Sequence, residues 1–169
     1  MPQLTEYLLT CGFLLLPAIA WNIALARRLP PAYQEPEFSR SVSQSVRVLE
    51  HITRLVVFLL PFAMPLEIRD TSQKLGLAIF IVGTLFYFAS WLALIGNVKS
   101  AWSTSRIGFL APAYTPLIWL VGIALVGQRL LGADAYRWWY YLLPSVAFLT
   151  IHIHHANAAL ARSRASAGA

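Results

Sequence analysis

The chain has 169 residues, of which 58% are hydrophobic and only 12% are charged. Soluble domains carry about 25% charged residues, so this composition excludes an ordinary water-facing surface, and the same apolar content excludes intrinsic disorder. The mean hydropathy of +0.61 predicts a polytopic membrane protein instead. Basic loops and attraction to anionic lipid explain the formal charge of +6, so no nucleic acid partner is predicted.

Five continuous apolar stretches predict five transmembrane helices, because a helix needs about 20 apolar residues to cross a bilayer. Their continuity favours helices over the alternating strands of a barrel. The sequence therefore predicts an all-α integral membrane protein, a five-helix transmembrane bundle that forms one membrane domain over residues 1–169. The predicted spans are about 7–26, 48–66, 75–95, 107–131 and 138–157, with the second helix beginning near residue 41 and a flexible tail over 162–169.

The distribution of Lys and Arg predicts that the N-terminus lies outside and the C-terminus in the cytoplasm, because cytoplasmic flanks of membrane helices are rich in basic residues. In this orientation nine basic residues flank the cytoplasmic side: Arg27, Arg28, Arg40, Arg47, Arg54, Lys99, Arg106, Arg162 and Arg164. Only four flank the outer side: Arg69, Lys74, Arg129 and Arg137. We therefore predict a multi-pass protein of the cell inner membrane that contacts lipid, and homo-oligomer formation is left open.

The second predicted helix contains the most unusual polar residues. With about 100° of rotation per residue, Arg47, Glu50, His51 and Arg54 project within one arc of about 100°. Glu50 and Arg54 have the spacing and order that suit an ion pair. Ionisable side chains inside a membrane usually mark a functional site, so we predict a ligand pocket here. The alternative is a structural ion pair close to the cytoplasmic interface.

Polar residues of three other helices fall in the same predicted layer of the membrane. His152 and His155 share one face of the last helix, about 60° apart, and Asn22 and Asn97 close the first and third helices. In the predicted topology all four of these residues lie on the cytoplasmic side. The candidate ligand-binding residues are therefore Asn22, Arg47, Glu50, His51, Arg54, Asn97, His152 and His155.

The histidines also raise the question of a cofactor. Haem or a metal held by His152 and His155 with His51 or Glu50 is an alternative, since metal sites take three or four ligands and haem takes axial histidines. The spacing of these residues requires neither, so no cofactor is predicted. Histidines that bind water, backbone carbonyls or lipid headgroups are the preferred interpretation.

These features predict a protein that binds or transports a small anionic or lipid-like molecule through a polar pocket in the cytoplasmic leaflet. One alternative is an intramembrane enzyme acting on a lipid or isoprenoid, in which Glu50 orients His51 or His152 as general base. A second alternative is a non-catalytic assembly or regulatory subunit. Separately, Gly76, Gly83, Ser90 and Asn97 recur every seven residues and predict a close-packed face on the third helix.

Overall fold

All the regular secondary structure in the described part of the chain is helical. The computed structural model describes residues 9–133 and 135–167. These contain helices α1 (Leu16–Leu25), α2 (Gln44–Leu59), α3 (Thr71–Gly96), α4 (Ala101–Thr104), α5 (Arg106–Tyr114), α6 (Pro116–Val126) and α7 (Trp139–Ala167). Short 3₁₀ turns occur at Cys11–Leu15, Ala26–Arg28, Pro31–Tyr33, Ser39–Ser41 and Leu60–Ala63. The prediction of an all-helical chain is confirmed.

Two helical segments in the described part of the chain are long and apolar enough to cross a membrane. They are α3 and the continuous stretch Arg106–Val126, which comprises α5 and α6. A capping box between Asp70 and Gln73 starts α3 by satisfying backbone N–H groups that lack a partner inside the helix. Thr115 separates α5 from α6, because the following Pro116 has no N–H to continue the helical ladder.

The ends of α2 and α6 differ from the predicted limits for local reasons. The second helix begins at Gln44 rather than near residue 41, because Ser41 ends a 3₁₀ turn in which its hydroxyl donates to the Phe38 carbonyl at 2.7 Å. Helix α6 ends at Val126 rather than at residue 131. Beyond that end the Leu131 N–H donates to the carbonyl of Ala63 at 2.9 Å, and not to a carbonyl within the helix.

The predicted flexible tail is largely helical. Helix α7 continues through residues 162–167, and residues 168–169 lie outside the described part of the chain. Arg162 donates to the carbonyl of Arg40 at 2.7 Å, and Arg164 donates to the carbonyl of Thr104 at 2.6 Å. These two bonds tie the last turns of α7 to the loops beside it, which the small residues of the tail did not indicate.

Helices α3 and α6 pack with their backbones in contact. A Cβ atom at Gly83 would lie 2.5 Å from the backbone nitrogen of Trp119. A Cβ atom at Gly122 would lie 2.5 Å from the backbone nitrogen of Phe80. The predicted close-packed face of α3 therefore packs against α6, and its residues Gly76, Gly83 and Ser90 are buried. Asn97 lies exposed beyond the end of the helix.

The surface of α2 is apolar and its buried face is charged. Leu49, Ile52 and Leu59 are more than half exposed, whereas Glu50 is only 2% exposed. This distribution is the reverse of a surface helix in a soluble protein, where charged side chains face water. The exposed face of α3 is also apolar, with Leu85 and Phe86 at its centre.

Candidate functional site

A buried carboxylate joins helices α2 and α7. Oε1 of Glu50 accepts hydrogen bonds from Nη2 of Arg54 and, at 2.9 Å, from Nδ1 of His152. Oε2 of Glu50 lies 2.5 Å from Nδ1 of His155. The predicted ion pair is present, and both histidines on the shared face of α7 meet its carboxylate. We call these four side chains the Glu50 cluster.

The other ring nitrogen of His155 defines where one proton must lie. Nε2 of His155 is 2.9 Å from the carbonyl of Phe38, and a carbonyl can only accept, so Nε2 is the donor. Since the second nitrogen faces a carboxylate oxygen, one further proton lies between Nδ1 and Oε2. The His155–Glu50 pair is then neutral overall, whichever of the two atoms holds that proton.

His152 is oriented by the same carboxylate. Its Nδ1–H donates to Glu50, which leaves Nε2 as a hydrogen-bond acceptor in the neutral imidazole. Nε2 has no hydrogen-bond partner within the described residues. A carboxylate that fixes the tautomer of a histidine is the arrangement that a general base needs, so the site holds the elements of acid–base chemistry as well as of binding.

The Glu50 cluster has one excess positive charge when His152 is neutral. The His155–Glu50 pair sums to zero, and the guanidinium of Arg54 adds a single positive charge. The Arg54 side chain is 40% exposed, and its guanidinium carbon lies 5.6 Å from the centre of the Phe148 ring, a distance at which a cation–π contact is favourable.

A cavity of about 420 Å³ lies beside the cluster, within the size range of small-molecule sites. Arg54 and His152 form part of its wall, together with Asn22 from α1 and Tyr87 from α3. The Tyr87 hydroxyl donates to Oδ1 of Asn22 at 2.5 Å. Most other lining side chains are apolar, and they include the rings of Tyr33, Phe38, Phe58, Trp91, Trp119 and Phe148.

The loop between α1 and α2 closes one end of this cavity. Phe38 stacks on the His155 ring with 3.8 Å between centroids, and Tyr33 stacks on Phe109 at 4.6 Å. The Tyr33 hydroxyl donates to the Phe109 carbonyl at 2.8 Å, and burial raises the pKa of this hydroxyl above its usual value. Sequence reasoning missed both residues, although aromatic side chains in a proline-rich polar loop are a signal for packing.

Replacing Tyr33 with Phe is expected to lower the free energy of unfolding by about 1–3 kcal/mol, because the carbonyl of Phe109 loses its hydrogen-bond donor in a partly buried place. Tyr114→Phe is the matched control, since that exposed hydroxyl makes only a 3.3 Å contact. Unfolding of the detergent-solubilised protein by SDS, followed by tryptophan fluorescence, measures both changes. Equal effects of the two substitutions would contradict the role of Tyr33.

Five of the eight predicted site residues come together. Asn22, Arg54 and His152 line the cavity, and Glu50 and His155 lie directly behind its wall. The other three lie apart from it: His51 and Asn97 are exposed, and Arg47 is half-buried without lining the cavity. His51 is one residue beyond Glu50, so its side chain is turned about 100° away along the helix.

The described residues contain no group of three or more His, Cys, Asp and Glu side chains with an arrangement that suits a metal ion. Of the predicted alternative ligands, His51 is exposed on α2, whereas His152 and His155 both contact Glu50. Comparison of the chain with protein-family models, with curated proteins and with solved structures gives no match.

Proposed function

We propose that this chain is a five-span protein of the cell inner membrane that binds or transports a small anionic or lipid-like molecule through the cavity beside the Glu50 cluster. Five helical segments follow the predicted spans in chain order, namely α1, α2, α3, α5 with α6, and α7, and of the described residues Thr71–Gly96 and Arg106–Val126 are long and apolar enough to cross a membrane. The apolar faces of α2 and α3 are the exposed ones. In a bilayer these faces contact acyl chains, and the charged side chains turn inward as membrane proteins require.

The single observation that carries the proposed function is Arg54 in the wall of a largely apolar cavity. Because Arg54 lines the cavity and its side chain is 40% exposed, an anion that enters the cavity can accept a charge-assisted hydrogen bond from its guanidinium. Glu50 offsets this charge only in part, because its carboxylate also accepts from His152 and meets His155. The remaining positive charge favours an anionic ligand, and the apolar walls favour a ligand that is apolar apart from its anionic group.

In the predicted orientation, the cavity lies in the cytoplasmic half of the membrane. Asn22 lies near the end of α1, Glu50 and Arg54 lie in the first half of the predicted span 48–66, and His152 and His155 lie in the second half of the predicted span 138–157. With the N-terminus outside, all of these positions belong to the cytoplasmic half. We therefore propose entry of the ligand from the cytoplasmic leaflet or the cytoplasm.

Arg54→Gln is expected to weaken the binding of small apolar anions at least about tenfold, because a charge-assisted hydrogen bond is lost. The probes are decanoate and benzofuran-2-carboxylate, each compared with its uncharged amide, titrated calorimetrically into protein held in lipid nanodiscs. Arg28→Gln is the control, since it removes an equal charge from an exposed position away from the cavity.

The wild-type protein should prefer at least one of the two anions to its amide, and Arg28→Gln should keep that preference. Native mass spectrometry of the purified protein should also find a bound anion that Arg54→Gln loses. Absence of binding by both anions, or equal binding of each anion and its amide, would overturn the proposal.

A further inference from the structure

We infer that the ligand is a planar aromatic anion that has a ring N–H or O–H donor beside its acidic group. This inference rests on the proposed function and specifies the chemical class of the molecule that fills the same cavity. It follows from two properties of the cavity wall: flat aromatic surfaces, and a cation next to a hydrogen-bond acceptor.

Aromatic rings from four helices and one loop surround the cavity. Phe58 comes from α2, Trp91 from α3, Trp119 from α6 and Phe148 from α7, and Phe38 comes from the loop before α2. A flat ligand gains from each well-placed ring contact beyond the burial of its area, and an acyl chain lacks this contribution. The wall therefore favours a ring over a chain.

Arg54 and His152 present complementary groups side by side. Both donate to the same oxygen of Glu50, and both lie against the ring of Phe148. Arg54 supplies further N–H donors to an anion, while Nε2 of His152 accepts in the neutral imidazole. A ligand that satisfies the two must place a proton-bearing ring atom next to its negatively charged group.

Three anionic probes of similar size separate these features. Indole-2-carboxylate has a ring N–H beside its carboxylate, benzofuran-2-carboxylate replaces that N–H with oxygen, and decanoate has a chain in place of the ring. We expect nanodisc-embedded wild-type protein to bind indole-2-carboxylate about tenfold more tightly than benzofuran-2-carboxylate. We expect decanoate to bind more weakly than both ring compounds.

His152→Phe is expected to abolish the advantage of indole-2-carboxylate over benzofuran-2-carboxylate, because the acceptor is removed while a ring is kept. His154→Phe is the control, since His154 is exposed on the same helix and does not line the cavity. The comparison of probes on the wild-type protein does not depend on the folding of either variant.

Equal or tighter binding of decanoate would overturn the inference of a ring and leave the proposed function standing. Equal binding of indole-2-carboxylate and benzofuran-2-carboxylate by the wild-type protein would overturn the paired recognition by Arg54 and His152. Failure of all three anions to bind would overturn both the inference and the proposed function.

Discussion

Replacing Glu50 with Gln is expected to lower the free energy of unfolding by about 1.5–3 kcal/mol, because hydrogen bonds to a charged group become neutral ones. The substitution keeps the shape of the side chain but removes the acidic partner of Arg54, His152 and His155 among the described residues. Glu50 is 2% exposed, so water does not replace its bond with the buried His155, whereas the Arg54 side chain is 40% exposed. The amide keeps Oε1 as an acceptor, but its nitrogen cannot hold the proton that lies between Glu50 and His155.

The loss is measured by SDS-induced unfolding, with Glu37→Gln as the control. Glu37 forms an exposed ion pair with Arg40 at 3.4 Å, and such pairs contribute less than about 1 kcal/mol. Adding Arg54→Met to the Glu50→Gln chain should recover part of the loss, because it removes the uncompensated cation. A Glu50→Gln protein as stable as Glu37→Gln would show that the buried carboxylate does not hold α2 and α7 together.

The longer helices are largely predictable because each overlaps a predicted apolar span. Length and hydropathy alone find α3 and the stretch Arg106–Val126 among the described residues, whereas α2 and α7 also contain charged and polar side chains. The helix ends are less predictable, because they depend on distant hydrogen bonds. The Leu131 N–H meets the carbonyl of Ala63, and no local pattern near residue 131 shows that partner.

The sequence predicts which residues of the Glu50 cluster share a face on one helix, but it does not predict the contacts between the two helices. The spacing of four places Glu50 beside Arg54, and the spacing of three places His152 and His155 on one face. Which faces meet depends on the packing of α2 against α7, which periodicity does not specify. For this reason His51 was grouped with Glu50 by angle alone, although it is exposed.

The loop residues that line the cavity cannot be predicted from the sequence. Phe38 takes part through its backbone carbonyl, which accepts from His155, and through its ring, which stacks on the same imidazole. Backbone groups carry no signature of residue type, so such a contact cannot be read from a sequence. The apolar lining from Trp119 and Phe148 is equally hidden, because aromatic residues are common in every membrane helix.

Alanine at Gly83 or at Gly122 is expected to destabilise the protein, whereas alanine at Gly96 is expected to stabilise it or to have no effect. In an unhindered helix, Gly→Ala favours folding by about 0.5–1 kcal/mol. At Gly83 the new Cβ would lie 2.5 Å from a backbone nitrogen of α6, and at Gly122 it would lie 2.5 Å from one of α3. Backbone atoms cannot yield as a side chain can, so the two helices must separate, at a cost of about 1–3 kcal/mol.

Gly96 is the matched control because its added Cβ would meet nothing within 4 Å, and it lies on the same helix as Gly83. Thermal unfolding of the three variants in one detergent should therefore show a lowered midpoint for Gly83→Ala and Gly122→Ala and a raised or unchanged midpoint for Gly96→Ala. If Gly83→Ala and Gly96→Ala shift the midpoint in the same direction, the backbones of α3 and α6 are not in contact. Separation of α3 from α6 would also move the cavity wall, because Tyr87 lines the cavity from α3 and Trp119 lines it from α6.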